Sequence, residues 1–168
     1  MVPMRPARLL DVLDRSIAKL LRAAQWLIFP VVILLFVQWP LRDIVRSYSR
    51  EANDLGQWIF ALYVAASVTA ATRAGSHLAA DMLARRYRPA VRALIARCGA
   101  AFGLVPWALL VLVAGRNIVV SSVVALEAFP DTANPGYFFV KIALWLMAAL
   151  VLAQAVLDLA RPRVGIGA

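Results

Sequence analysis

The sequence predicts an all-α membrane protein with four transmembrane helices and an N-terminal amphipathic segment, which is either an interfacial helix or a helix extension. The mean hydropathy of +0.78 and the 63% share of hydrophobic residues lie well above those of soluble domains. Runs without Asp, Glu, Lys or Arg occupy residues 23–41, 55–72, 98–115 and 142–157. With its interfacial ends, each run reaches the roughly 20 residues that cross a bilayer. The runs lack the alternation of apolar and polar residues that a membrane β-barrel shows.

The four runs define one membrane domain, residues 23–160, and leave no room for a soluble domain. Proline should kink the first span at Pro30, because its ring excludes one helical hydrogen bond. The loop before the fourth span, "EAFPDTANPGY", contains two prolines and a glycine, so we expect irregular structure there. The expected spans are about 23–41, 55–72, 98–118 and 137–158.

The N-terminal segment, residues 1–22, has apolar residues at helical spacing within "ARLLDVLDRSIAKLLR". Charged residues occupy the rest of the helical wheel, which is typical of a helix lying in the membrane interface. A cytoplasmic extension of the first span fits the pattern equally well. A cleaved secretory signal is disfavoured, because Asp11 and Asp14 precede the apolar run and no small-residue cleavage site follows it.

The distribution of charge predicts the orientation. Thirteen of the eighteen Lys and Arg residues lie in the N-terminal segment, the middle loop and the tail 161–168, and five lie in the other two loops or at their edges. By the positive-inside rule, both termini and the middle loop are expected to be cytoplasmic. Topology and contact with membrane phospholipid account for the net charge of +9, so nucleic acid is not needed as a partner.

Most catalytic and ligand-binding chemistry is missing from the sequence. The apolar runs contain no charge, which argues against an ion or substrate path within this chain. One histidine and one cysteine supply neither a metal site nor paired haem ligands. We therefore expect no enzyme activity, no catalytic or metal-binding residue and no cofactor. The histidine, His77, is expected to be structural, hydrogen-bonded to backbone or to Asp81.

Three stretches occur in an order that resembles a known family. "RAGSHLAADML", residues 73–83, carries Arg73, Gly75, His77 and Asp81. "VQWPLRD" at 37–43 carries Gln38 and Arg42, and "NDLGQWIF" at 53–60 carries Asp54. Together they resemble the small membrane subunit, DctQ-like, of tripartite ATP-independent periplasmic (TRAP) transporters. Asp54 and Gln57 depart from the glutamate and arginine usual in that family.

The resemblance implies a role as a scaffold. Such subunits pair with a large membrane subunit (M), and a periplasmic substrate-binding protein (P) delivers the solute. An ion gradient drives uptake, typically a sodium gradient, and the sodium is expected to bind the large subunit. An organic acid anion is the commonest substrate in the family. The alternative is a non-catalytic four-helix accessory or anchor subunit of another inner-membrane complex.

Two sets of residues are candidates for contact with such partners. Ala61, Ala65 and Thr69 form a small-residue strip on the second span, which suits packing against a partner helix or against neighbouring helices of the chain itself. Charged residues in the outer loops either are merely solvated or meet the binding protein. They are Arg46, Arg50, Glu51, Glu127 and Asp131.

The orientation can be tested with reporter fusions at residues 48, 90, 132 and 168. We expect periplasmic reporter activity at 48 and 132 and cytoplasmic reporter activity at 90 and 168, because the basic residues are retained on the cytoplasmic side. A periplasmic signal at 90 or 168 would contradict the orientation.

Overall fold

The computed structural model describes residues 6–45, 49–74 and 87–160. These ranges are almost wholly helical. They contain α1 (Pro6–Gln25), α2 (Ile28–Asp43), α3 (Arg50–Ala74), α4 (Pro89–Gly99), a π-helical turn (Ala100–Leu104), α5 (Val105–Val124) and α6 (Tyr137–Ala160). Within them, four stretches are long and apolar enough to cross a membrane: Arg8–Asp43, Arg50–Ala74, Ala90–Val124 and Tyr137–Ala160. The predicted all-α membrane class is thereby confirmed.

Two prolines explain where the long helical stretches are irregular. Pro30 has no N–H to donate to Trp26, four residues before it, and α1 gives way to α2 at residues 26–27. The N–H of Phe29 bonds the Trp26 carbonyl instead, at 3.2 Å. Pro106 lies just after the π-helical turn, in which the N–H of Val105 bonds the carbonyl of Ala100. This wider turn lies at the place where the proline ring would crowd a regular helix.

The spanning helices form a row. The contacts run from α2 to α3, from α3 to α6, and from α6 to α5, so α3 and α6 are the inner pair and α2 and α5 are the edges. Burial follows this order. Val31 is the only buried residue of α2, whereas α6 has seven buried residues. Most of the apolar surface of the edge helices therefore faces away from the rest of the chain.

Helix α1 packs along the C-terminal half of α3. Its residues Ile17 and Leu21 are each 4% exposed, and they form a buried cluster with Ala66 of α3 and Leu157 of α6. Further towards its N-terminus, Asp14 pairs with Arg73 of α3. The two helices are therefore antiparallel over this length. Helix α1 is thus packed against the bundle, and it belongs to the same long apolar stretch, Arg8–Asp43, as α2.

The loop between α5 and α6 is held together by contacts among its own residues. An isolated antiparallel bridge pairs Ala128 with Pro135, and the N–H of Phe129 donates to the Asn134 carbonyl at 2.8 Å. Phe129 is 5% exposed and meets the ring of Tyr137 edge-on. Gly136 has a φ of +146°, and an added Cβ would lie 3.3 Å from the Phe129 ring. The loop thus has the expected irregular structure, built from turns and one isolated bridge, and it closes over its own aromatic residue.

Candidate functional site

A polar junction connects α1, α3 and α6 near the C-terminal ends of α3 and α6. Arg73 Nη1 lies 2.7 Å from Asp14 Oδ1 and donates to Gln154 Oε1 at 3.4 Å. The amide of Gln154 in turn donates to Asp158 Oδ1 at 3.0 Å. Gln154 is 1% exposed, so both ends of its amide are satisfied inside the protein. By the predicted orientation, this junction lies at the cytoplasmic end.

The junction explains why a basic residue ends the second apolar run. Burying an amide without hydrogen bonds would cost free energy, and a guanidinium offers donors in several directions. Arg73 uses them on two neighbouring helices at once, which fixes α1 against the inner pair. Among the predicted motif residues, Arg73 is thus placed in a structural contact.

At the opposite end of the helices, a contact joins the start of α3 to the loop before α6. Asp54 is 6% exposed, and Thr132 donates its hydroxyl hydrogen bond to Asp54 Oδ2 at 2.5 Å. Thr132 also accepts a bond from the backbone N–H of Asn134. A buried carboxylate needs such a partner. The motif residue Asp54 therefore anchors the loop to the start of α3.

A second contact joins the same loop to α5 and α6. The carboxylate of Glu127 pairs with the ammonium of Lys141 and accepts a hydrogen bond from the hydroxyl of Ser122. The hydrogen bond from Lys141, then that from Ser122, lower the pKa of Glu127 from its ordinary value, and partial desolvation opposes them. Glu127, a candidate docking residue, is thus already engaged within the chain.

Two of the candidate docking residues, Arg50 and Asp131, lie at a polar cleft. A cleft of about 290 Å³ is lined by Arg50, Asn53, Asp54, Asp131 and Thr132. Arg50 and Asp131 are exposed at its rim. The cleft brings together two of the candidate docking residues, one from α3 and one from the loop.

The other predicted residues of this end lie apart from the cleft. Gln38 is half-buried in α2, and Arg42 pairs with its exposed neighbour Asp43. Glu51 accepts a hydrogen bond from Ser49 at 3.2 Å. Arg46 lies outside the described residues.

The small-residue strip faces mostly inward. Ala65 is 2% exposed and Thr69 is 0% exposed, and the Thr69 hydroxyl bonds the carbonyl of Ala65 at 3.1 Å. Because α6 is the main neighbour of α3, these two residues pack within the chain. Ala61 is half-buried and is the member of the strip left nearest the surface.

The centre of the family-like motif, namely Gly75, His77 and Asp81, lies outside the described residues. Within the residues that the structure does describe, no group of three or more His, Cys, Asp or Glu side chains is placed to hold a metal ion.

Several residues of these contacts had not been singled out as site residues: Asp14, Ser122, Thr132, Lys141, Gln154 and Asp158. Gln154 carried a usable signal, because it is the one amide in the apolar run 142–157. Thr132 and Ser122 carried none, since small hydroxyl residues are common in loops and helices alike. Their partners become apparent only when the helices are assembled.

Comparison with known protein families identifies the family of this chain. The family model described as "Tripartite ATP-independent periplasmic transporters, DctQ component" matches residues 31–164. No curated protein and no solved structure matches the chain. The matched range begins in α2 and includes all the motif residues quoted from the sequence, from Gln38 to Asp81, whereas α1 lies before it.

The Arg73–Asp14 pair can be tested by a double-mutant cycle with Arg73→Gln and Asp14→Asn. The two side chains are 26% and 35% exposed, so we expect a coupling of about 0.5–1 kcal/mol in thermal unfolding of the solubilised protein. The control cycle uses Arg42→Gln and Asp43→Asn. That pair is 68% and 45% exposed and should show no measurable coupling. Equal coupling in both cycles would contradict a clamping role for Arg73.

The Glu127 contacts predict a loss of stability in acid. A carboxylate whose pKa is lowered on folding stabilises the protein above its unfolded-state pKa, and this contribution is lost as the pH falls through the folded-state value. The unfolding temperature of Glu127→Gln should therefore lie below that of the wild type near neutral pH, and the difference should shrink as the pH drops below about 4. Glu51→Gln controls for the removal of one charge. A difference that is the same at every pH would rule out the ionised carboxylate as its source.

Proposed function

The chain belongs to the DctQ family, the small membrane component of TRAP transporters, and we propose that it braces the large transport subunit (M) during ion-driven solute uptake. In this proposal a periplasmic binding protein (P) delivers the solute, sodium is the coupling ion, and an organic acid anion is the substrate. Substrate and sodium bind the large subunit, and this chain has neither catalytic activity nor a cofactor.

The distribution of polar groups is the observation that supports a scaffold. In the described residues, ion pairs lie near the two ends of the helices. Arg73 pairs with Asp14 at one end, and Glu127 pairs with Lys141 at the other. Thr69 lies between the ends, and its hydroxyl is bonded to the backbone of its own helix. A polar solute needs polar groups along its path, and this pattern provides fixed contacts between helices.

The edges of the row support the same proposal. Helices α2 and α5 expose large side chains such as Phe36, 69% exposed, and Val113, 75% exposed. Because lipid tails are as apolar as these side chains, a partner binds them by close packing of shapes. We propose that one or both edges contact the large subunit.

The two loop regions are assigned different roles. At the cytoplasmic end, His77 and Asp81 have a structural part in assembly. At the periplasmic end, the rim residues Arg50 and Asp131 meet the binding protein, where charges chiefly set the association rate and its salt dependence. Glu127 supports this face indirectly by holding the loop.

The proposal predicts that this chain does not transport by itself. Co-expression with the large subunit of the same transporter should yield a stable one-to-one complex. Uptake into proteoliposomes should require both membrane subunits, the binding protein and an inward sodium gradient, because the spans that the structure describes offer no polar path. Radiolabelled solute is measured with each component omitted in turn.

The controls separate the parts of the proposal. Replacing sodium by choline tests the coupling ion while leaving the subunits intact. Uptake by this subunit alone, at the rate of the full system, would overturn the scaffold role. Uptake that needs all three proteins but not sodium would overturn only the choice of ion.

A further inference from the structure

A groove of about 570 Å³ lies between α3 and α6, and its outer end reaches Lys141 of the Glu127–Lys141 pair. It is flanked by Phe60, 51% exposed, and Leu144, 52% exposed. On α3 it extends from Gln57 to Ala65, and on α6 from Tyr137 to Met147. At about 1.5 Å per residue, the groove is roughly 12–15 Å long. Its depth comes from small residues, since Ala61, Ala65 and Ala143 belong to its lining.

The lining changes from polar to apolar along the helices. Gln57, Tyr137 and Lys141 lie at the end nearest the outer loops, whereas Val64 and Met147 lie about two turns deeper. An amphiphile with its polar group at the membrane surface and its chain pointing inwards shows the same change from polar to apolar with depth. From this match we infer that the groove binds one acyl chain of a phospholipid of the outer leaflet, with the phosphate at Tyr137 and Lys141.

The charge at the polar end selects among head groups. The ammonium of Lys141 is paired with Glu127, so the positive charge there is already balanced. An ammonium has three N–H donors, so in this proposal Lys141 donates both to Glu127 and to a phosphate oxygen. The Tyr137 ring lies beside the ammonium, with its centroid 5.5 Å from Lys141 Nζ, and its hydroxyl is proposed to donate to the same phosphate. With no net positive charge at this end, a zwitterionic head group is favoured over one that carries net negative charge.

The size of the groove favours an acyl chain over a helix of a protein partner. A helix with its side chains is about 10–12 Å wide, so a segment 15 Å long occupies roughly 1,200 Å³. That is about twice the volume of the groove.

The test measures lipid bound to the complete chain in detergent. The protein is stripped of lipid and titrated with phosphatidylethanolamine or phosphatidylglycerol of equal acyl length, and bound lipid is counted by native mass spectrometry. Wild type should retain one phosphatidylethanolamine per chain, with weaker retention of phosphatidylglycerol. Ala61→Phe places a ring in the groove and should weaken binding about tenfold, which corresponds to the loss of roughly two buried methylene groups.

Two further variants keep the result interpretable. Val113→Phe introduces the same side chain on α5, at a residue that is 75% exposed, and should bind like the wild type. Tyr137→Phe keeps the ring that meets Phe129 and removes only the hydroxyl that contacts the phosphate, so it should weaken the binding of both lipids to the same extent. Equal retention by wild type and Ala61→Phe would overturn the site. Displacement of the lipid when the large subunit binds, with Ala61→Phe blocking assembly, would assign the groove to that partner instead.

Discussion

The packing of α3 against α6 is the contact on which the rest of the structure depends. In a bilayer the tails solvate apolar side chains well, so helices associate through close approach rather than through the hydrophobic effect. Ala65 on α3 is almost fully buried, and so are Ala148 and Ala155 on α6. Their small side chains let the two backbones approach. Helix α2 is then added on one side of this pair and α5 on the other.

Polar contacts at both ends complement this apolar packing. Arg73 joins α3 to α1 and α6 at one end, and Asp54 joins α3 to the outer loop at the other. Both residues lie at or near an end of α3, where water is available to the part of each side chain that its partners leave uncovered. A polar group fixed by geometry specifies which helices are neighbours, whereas apolar packing alone would tolerate several arrangements. The specificity of the fold thus comes largely from its ends.

The sequence was sufficient to predict the helices, because charge-free runs of this length have few other interpretations. Pro30 indicated where the first helix would break. The order of helices in the row was not predictable, since the faces of α2, α3, α5 and α6 are all apolar and hydropathy does not distinguish them. The particular conformation of the loop was not predictable either, because it depends on the burial of Phe129 and on the positive φ of Gly136. The helix order and the loop conformation both depend on contacts between distant parts of the chain, which the sequence pattern does not show.

The candidate residues could be found from the sequence, whereas their roles depend on contacts made in the assembled fold. Arg73 and Asp54 were found because they belong to a motif, but their roles follow from Gln154 and Thr132, which the motif does not contain. Ala65 and Thr69 suited either a partner or the chain itself, and the burial of both in the α3–α6 contact places them within the chain. With the small residues used internally, the exposed apolar surface is made largely of bulky side chains, such as Phe102 and Val113. Such a surface can pack against lipid or against a large partner without altering the inner pair, which is the property that a rigid brace requires.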